Sequence, residues 1–224
     1  MLHIALGETK MPYVSSENQS GIEYDIVTQA LKLAGYQVNV DYLPNKRALL
    51  KLNDRQLDVA ISNTGNHLSE PYIAYQNMAI TLCKQNLSID SVKALAPYQV
   101  AAFHNANQYL GADFAKIAAS KSNYREVSPQ KLMNRMLLAD RVQVAISDIN
   151  IFKHEHEKLD PLSQPSLCPF AIFPPTHYRL AFRDPNTRDQ FNLALKTLRD
   201  QGLYEQLAKK YGMQLDHHRP YFKP

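Results

Sequence analysis

The fold is decided by residues 22–61, which read IEYDIVTQALKLAGYQVNVDYLPNKRALLKLNDRQLDVAI. Apolar side chains recur at helical spacing in two parts of this stretch, and strand-like alternation follows each of them. The predicted elements, in order, are a helix from Ile22 that ends at Gly35, a strand Val38–Tyr42, a helix opened by Pro44 and a strand Leu57–Ile61. A further strand, Leu2–Leu6, precedes them, so the order predicts an α/β layer with parallel strands.

The same order of elements returns in the second half of the chain. Its predicted members are a strand Tyr98–Phe103, a helix Asn105–Lys121, a helix after Pro129, a strand Val142–Ile146 and a helix from Ile149. Two similar α/β lobes are the simplest interpretation. A Pro-rich passage at 161–175 leads to a strand, Tyr178–Phe182, and to two closing helices separated by Gly202. The polar tail, Asp216–Pro224, is expected to lie at the periphery.

Composition excludes several classes of function. The 224 residues suffice for one large domain or for two lobes of about 100 residues each. The net charge of +4 comes from scattered basic residues, so no basic stripe predicts a nucleic-acid partner. No apolar run reaches roughly 18 residues, so no membrane span is predicted. The sequence has no Ser-His-Asp order, Gly-rich phosphate loop or metal-ligand spacing, so we expect no catalysis, cofactor or metal.

The two cysteines, Cys83 and Cys168, leave two alternatives open. They can form one disulfide if the chain is exported, or remain buried thiols if it is not. Strand-like sequence begins directly after Met1, which suits either a cytosolic protein or a mature chain whose leader has been removed.

Several short strings, in order along nearly the whole chain, resemble the family-3 extracellular solute-binding proteins, the amino-acid-binding group of ABC importers. The strings are Gly21–Ile26, Leu57–Ile61, Ser69–Tyr72 (with Leu68 where Phe is usual), Arg141–Asp148 and the closing helices from Phe191 to Gly212. Each string is weak alone, but five at the right spacing are strong. The resemblance implies an α/β, two-lobed type II periplasmic-binding-protein fold with the ligand in a cleft between the lobes.

The resemblance also implies the lobe boundaries. Lobe 1 would contain residues 1–83 and 179–224, and lobe 2 would contain residues 84–178. A two-strand hinge would lie near Thr81–Lys84 and Pro174–Arg179, and its closure would exclude water from the ligand and strengthen its polar contacts.

The expected ligand site departs from the family pattern at one end. Family members that bind amino acids hold the α-carboxylate with an Arg after the first lobe's Asp-containing strand. The segment from Ile61 to Glu70 contains no Arg. Asp148 falls where the family places the acid that binds the α-ammonium, although Asp there is also a favoured helix N-cap. Asn105, Ala106 and Asn107 stand where helix amides would meet an anion, or where Asn is a simple cap.

Further candidate ligand contacts lie in lobe 1. Arg47 belongs to a Pro-x-x-Arg string and can substitute for the missing Arg, although a helical Arg usually faces water. Tyr13 is in the loop where the family has an aromatic lid, although ordinary packing would also explain an aromatic residue there, and Glu8, beside it, can hold a cation. Ser62, Asn63 and Thr64 follow a strand at the end where α/β folds place ligands, although such residues also form ordinary turns.

The implied function is capture of a small polar, amine-bearing and amino-acid-like solute by a periplasmic protein for an ABC importer, with the leader removed. The alternatives are a ligand-sensing domain of the same fold in a signalling system and, with less support, a dehydratase-like enzyme. The expected partners are the solute and either an ABC permease or a membrane sensor. We expect a monomer.

Overall fold

The computed structural model describes residues 1–119, 122–159, 165–213, 215–216 and 219–224. The strands are β1 (Leu2–Leu6), β2 (Val38–Tyr42), β3 (Val59–Ile61), β4 (Ile73–Tyr75), β5 (Asn77–Leu82), β6 (Val100–Phe103), β7 (Tyr124–Val127), β8 (Val144–Asp148), β9 (Leu167–Phe170), β10 (Thr176–Tyr178), β11 (Leu180–Phe182), β12 (Leu215–Asp216) and β13 (Arg219–Pro220). The α-helices are α1 (Ile22–Leu33), α2 (Asn45–Asn53), α3 (Ala106–Tyr109), α4 (Ala112–Ala119), α5 (Lys131–Leu138), α6 (Ile149–Leu159), α7 (Pro185–Asp200) and α8 (Leu203–Lys210).

The chain divides into two compact units. Unit 1 contains residues 1–75 and 177–224, and unit 2 contains residues 76–176. The expected end of the first segment, at residue 83, is too late, because β5 pairs with β8 and β9 and therefore belongs to unit 2. No helix among the described residues has both the length and the apolar character needed to cross a membrane.

Unit 1 is built on a four-stranded sheet in the order β11-β3-β1-β2. Strand β1 is parallel to β2 and to β3, as the order of elements predicted, and β11 closes the sheet antiparallel to β3. Helix α2 is amphipathic, and its apolar side chains pack against the sheet. One core cluster joins Ala5, Ala48, Leu52, Leu57, Ala60 and Ala181.

Unit 2 is built on a five-stranded sheet in the order β7-β6-β8-β5-β9. Strand β6 is parallel to β7 and β8, whereas β5 is antiparallel to its neighbours β8 and β9. A disulfide joins Cys83 and Cys168, whose Cα atoms are 5.0 Å apart, directly after β5 and within β9. The structure therefore selects the disulfide from the two states that the sequence left open.

Gly21 and Asp25, in the family-like string Gly21–Ile26, hold the start of α1 in place. Gly21 has φ +124°, and a Cβ there would lie 2.2 Å from the carbonyl oxygen of Tyr13, so a side chain has no room. The Gly21 amide donates to the Tyr211 hydroxyl at 2.8 Å. Tyr211 and Lys210 both donate to the Asp25 carboxylate, at 2.8 and 2.7 Å. The string therefore fixes the start of α1 against the end of α8.

The end of the tail is part of the core of unit 1 rather than peripheral. Phe222 is fully buried, and its ring lies 6.1 Å from that of Tyr204 in α8. The carbonyl oxygen of Phe222 accepts a hydrogen bond from the Ala74 amide in β4, at 2.9 Å. The expectation of a peripheral tail was wrong because one aromatic residue in a polar stretch supplies enough apolar surface to anchor it.

Candidate functional site

The parallel strands of unit 1 bring several predicted residues to one edge of its sheet. Glu8 follows the carboxyl end of β1, and Arg47 lies in the first turn of α2, which follows β2. Because β1 and β2 are parallel neighbours, these two positions share the edge at which α/β folds place ligands. Both side chains are exposed, and neither makes a hydrogen bond or ion pair with another described residue.

Ser62, Asn63 and Thr64 follow β3 at the same edge, and their polar groups are largely engaged within the protein. The Ser62 hydroxyl donates to the carbonyl oxygen of Thr64 at 2.6 Å and accepts from the Thr64 amide at 3.1 Å. The Asn63 side chain donates to the carbonyl oxygen of His177 at 2.9 Å and accepts from the Arg179 amide at 3.0 Å. In this structure, the segment acts as a turn that holds the chain between β10 and β11.

Tyr13 is fully buried in this structure and does not form an exposed lid. Its ring stacks on Tyr75, with centroids 4.1 Å apart and planes at 14°. The Tyr178 ring lies 4.9 Å from Tyr75, and the Lys10 ammonium lies 4.4 Å from the centre of the Tyr75 ring, a cation–π contact. The sequence interpretation missed Lys10, which is the residue of this loop that contacts the aromatic cluster from a partly exposed position.

A buried carboxylate lies beneath this aromatic cluster. Glu23, in the first turn of α1, accepts hydrogen bonds from the hydroxyls of Tyr72 and Tyr75, the latter at 2.9 Å. Burial, and then the nearby charge of Glu23, raise the pKa of both phenols well above the usual value. The two tyrosines therefore remain protonated donors, and both are buried in the core of unit 1.

Asp148 of unit 2 is the N-cap of α6. The side chain is only 3% exposed, and its Oδ1 atom accepts from the amides of Asn150 and Ile151, both at 3.0 Å. Its Oδ2 atom accepts from the Gln76 amide at 2.9 Å. One of the two roles anticipated for Asp148, capping, is thus seen directly, and its contact with a ligand ammonium stays a prediction.

The amides expected to bind a ligand anion are occupied by the protein itself. Asn105 adopts the left-handed conformation, with φ 64°, and its amide donates to Oε2 of Glu126 at 2.8 Å. The Asn107 amide donates to Oε1 of the same carboxylate at 3.2 Å. An incoming anion would have to displace Glu126, so the expectation of an open anion site at Asn105–Asn107 is wrong for this structure. Strand β7, which carries Glu126, was not anticipated from the sequence.

Further contacts keep Glu126 ionised. The Tyr124 hydroxyl donates to Oε1 at 2.9 Å, and Nδ1 of His104 lies 3.9 Å from Oε2. Burial raises the pKa of Glu126, but the bonds from the two amides and from Tyr124, together with His104, outweigh it and lower the pKa below its usual value. The described residues include no group of three or more His, Cys, Asp or Glu that could hold a metal ion.

Known proteins resemble this chain along most of its length. A model of the family described as bacterial extracellular solute-binding proteins, family 3, matches residues 2–214. The arginine-binding extracellular protein ArtP of Bacillus subtilis is 25% identical over 218 residues, which cover 89% of this chain and 80% of ArtP.

Two solved structures share the fold at low sequence identity. The arginine-, lysine-, histidine-binding protein ArtJ of Geobacillus stearothermophilus has a TM-score of 0.65 at 16% identity, over 96% of each chain. A histidine kinase sensor domain with similarity to periplasmic binding proteins has a TM-score of 0.67 at 14% identity, over 94% of this chain and 95% of that one.

Proposed function

Because the chain belongs to family 3 of the bacterial extracellular solute-binding proteins, with their two-lobed α/β type II fold, we propose that it captures a small polar solute bearing an amine for an ABC importer. We further propose that it acts as a monomer in the periplasm and catalyses no reaction. The family and the three relatives described above are binding or sensing proteins.

The observation that supports an amine is the position of Asp148. The residue ends β8, which is parallel to β6 and β7, so its carboxylate lies at the carboxyl edge of the unit 2 sheet. Three backbone amides bind this carboxylate and fix its orientation. The curated relative ArtP is named for binding arginine, an amine-bearing cation, which agrees with this charge preference.

In unit 1, Arg47 is our candidate for any carboxylate that the solute carries. The segment between Ile61 and Glu70 has no Arg, whereas Arg47 is exposed and makes no ion pair with another described residue. A guanidinium binds a carboxylate in two parallel hydrogen bonds, which gives both strength and orientation.

A thermal-shift screen over amines, amino acids, organic acids and small peptides tests the function. A solute that binds only the folded protein, at 100 times its dissociation constant, adds about 2.7 kcal/mol. For a chain of this size we expect the melting temperature to rise by about 5 to 10 °C. Amine-bearing solutes should produce the rise and organic acids without an amine should not. A rise with amine-free acids alone, or with no solute in the screen, would contradict the proposal.

We expect Asp148→Asn to weaken binding of an amine solute by about 1 to 3 kcal/mol, because a neutral amide replaces the charged acceptor. Calorimetric titration with the best amine from the screen measures the change. Asp184→Asn is the matched control: Asp184 caps α7 in unit 1 through the Thr187 amide at 2.8 Å, so it loses the same charge at a helix N-cap. Equal affinities of the Asp148 variant and wild type would remove Asp148 from the site.

A sensing domain is the second candidate, favoured by the likeness to the histidine kinase sensor domain. Both candidates bind a solute, so binding alone does not separate them. The neighbouring genes do: a permease and an ATPase gene support transport, and a kinase or cyclase gene supports sensing. Turnover of prephenate-like acids by the purified protein would instead support the enzyme alternative.

A further inference from the structure

We propose that Glu126 is a specificity-determining residue, which fills the anion-binding amides of unit 2 and presents a negative charge to the amine of the solute. This inference rests on the proposed function and deepens it, because it names a second carboxylate and a reason for excluding anions. The starting observation is that a carboxylate already occupies the amides of Asn105 and Asn107.

Glu126 is held rigidly at the carboxyl edge of the unit 2 sheet. It lies opposite Ala102 in the parallel pairing of β6 and β7, so its side chain reaches the loop that follows β6. Two backbone amides and the Tyr124 hydroxyl fix the carboxylate from three directions. Hydrogen bonds to a charged group are the strong ones, so this arrangement keeps the carboxylate in place without a Lys or Arg partner among the described residues.

The carboxylate keeps part of its hydrogen-bonding capacity. Among the described residues, Oε1 accepts from both Asn107 and Tyr124, whereas Oε2 accepts from Asn105 alone. Since each oxygen has two lone pairs, one acceptor position of Oε2 is left. The side chain is 19% exposed, and the nearest basic group among the described residues, His104, lies on the same side at 3.9 Å and is itself 70% exposed. A solute ammonium that binds Oε2 would therefore approach it next to the His104 ring.

The charge also explains which solutes unit 2 rejects. Without Glu126, the Asn105 and Asn107 amides would be free to donate hydrogen bonds to a carboxylate of the solute. Here they donate to a carboxylate of the protein instead. A second anion would lose these donors and be repelled by Glu126 and by Asp148, which both lie at the carboxyl edge of the same sheet. Glu126 thus converts a loop suited to anions into one suited to cations.

Two variants test the proposal, with putrescine as the amine probe and acetate as the anion probe. Glu126→Gln keeps the shape and removes the charge, and Glu126→Ala empties the position. We expect both to weaken putrescine binding about tenfold or more, because a charge-assisted bond is lost. The control Asp113→Asn removes an exposed acid that pairs with Lys116 in the same unit, and should leave the affinity unchanged.

The acetate arm does not depend on the natural solute. In Glu126→Ala, acetate should shift the amide NMR resonances of Asn105 and Asn107, whereas wild type should show no such shift. Unchanged putrescine affinity in both variants, or no acetate response in Glu126→Ala, would overturn the inference. If wild type binds no amine at all, the proposed function fails, and the acetate response still decides whether Glu126 blocks an anion site. Melting curves of each variant without probe verify that it is folded.

Discussion

Replacing both Cys83 and Cys168 with Ala is expected to lower the free energy of unfolding by about 4 to 5 kcal/mol. The disulfide closes a loop with a sequence separation of 85 residues, and cross-linking so long a loop removes much of the conformational entropy of the unfolded chain. The bond joins the residue that directly follows β5 to the second residue of β9. These two strands are already paired at this point of the unit 2 sheet, so the folded state gains little order from the bond. The stabilisation therefore acts through the unfolded state.

Denaturant unfolding followed by circular dichroism measures this change, with the far-ultraviolet signal reporting both units. Wild-type protein in a strong thiol reductant is the internal comparison, because it removes the bond without changing the sequence. It should unfold at nearly the same denaturant concentration as the double variant. A loss below about 1 kcal/mol in both samples would mean that the unfolded chain does not gain the expected freedom.

Phe222→Ala is expected to cost about 3 to 5 kcal/mol, the usual range for emptying a buried Phe position. The Phe222 ring is fully buried against Tyr204, and its removal also loosens the backbone that accepts the Ala74 amide bond. Phe222 lies far along the chain from β4, so the loss of unfolding free energy measures how much the contacts of the tail stabilise unit 1. Denaturant unfolding of the full chain measures it.

Two neighbouring substitutions show whether the lost ring is responsible. Phe222→Leu keeps most of the apolar volume and should cost clearly less than the Ala variant. Lys223→Ala leaves the Phe222 ring in place but removes a partly exposed ion pair with Glu205 at 2.6 Å and a cation–π contact with the Tyr204 ring, which together contribute about 1 to 2 kcal/mol. A cost of Phe222→Ala no greater than that of Lys223→Ala would show that the tail does not stabilise unit 1.

The sequence predicted the parallel part of the fold well. Strands β1 and β2 have the predicted bounds, and the start of α6 was found to the residue. Hydrophobic periodicity is strong in such buried strands and amphipathic helices. The helix expected from Asn105 is two helices, α3 and α4, because the chain turns at Gly111 with φ +91°. Local periodicity continues through that break, so it did not reveal the turn.

Only part of the candidate site could be predicted from the sequence. The rest depends on contacts between residues that are distant along the chain. Asp148 and Arg47 became candidates because they lie next to predicted strands and helices, and their contact with a solute stays a prediction. Glu126 was missed because its role depends on a pairing between β6 and β7 that is fixed by the sheet and not by any local string. For Tyr13 a lid and ordinary packing both stayed open, because the sequence does not show that Tyr75, 62 positions away, covers its ring.

The division of unit 1 into two segments constrains the order in which the protein folds. All five strands of the unit 2 sheet lie within one continuous segment, residues 76–176. The unit 1 sheet needs β11, which pairs with β3 across more than a hundred intervening residues. Pairing over such a distance is slow, because the long loop loses its freedom before the contacts form. The continuous unit is therefore expected to form first and to bring the two segments of unit 1 together, so that residues 177–224 complete the sheet that residues 1–75 begin.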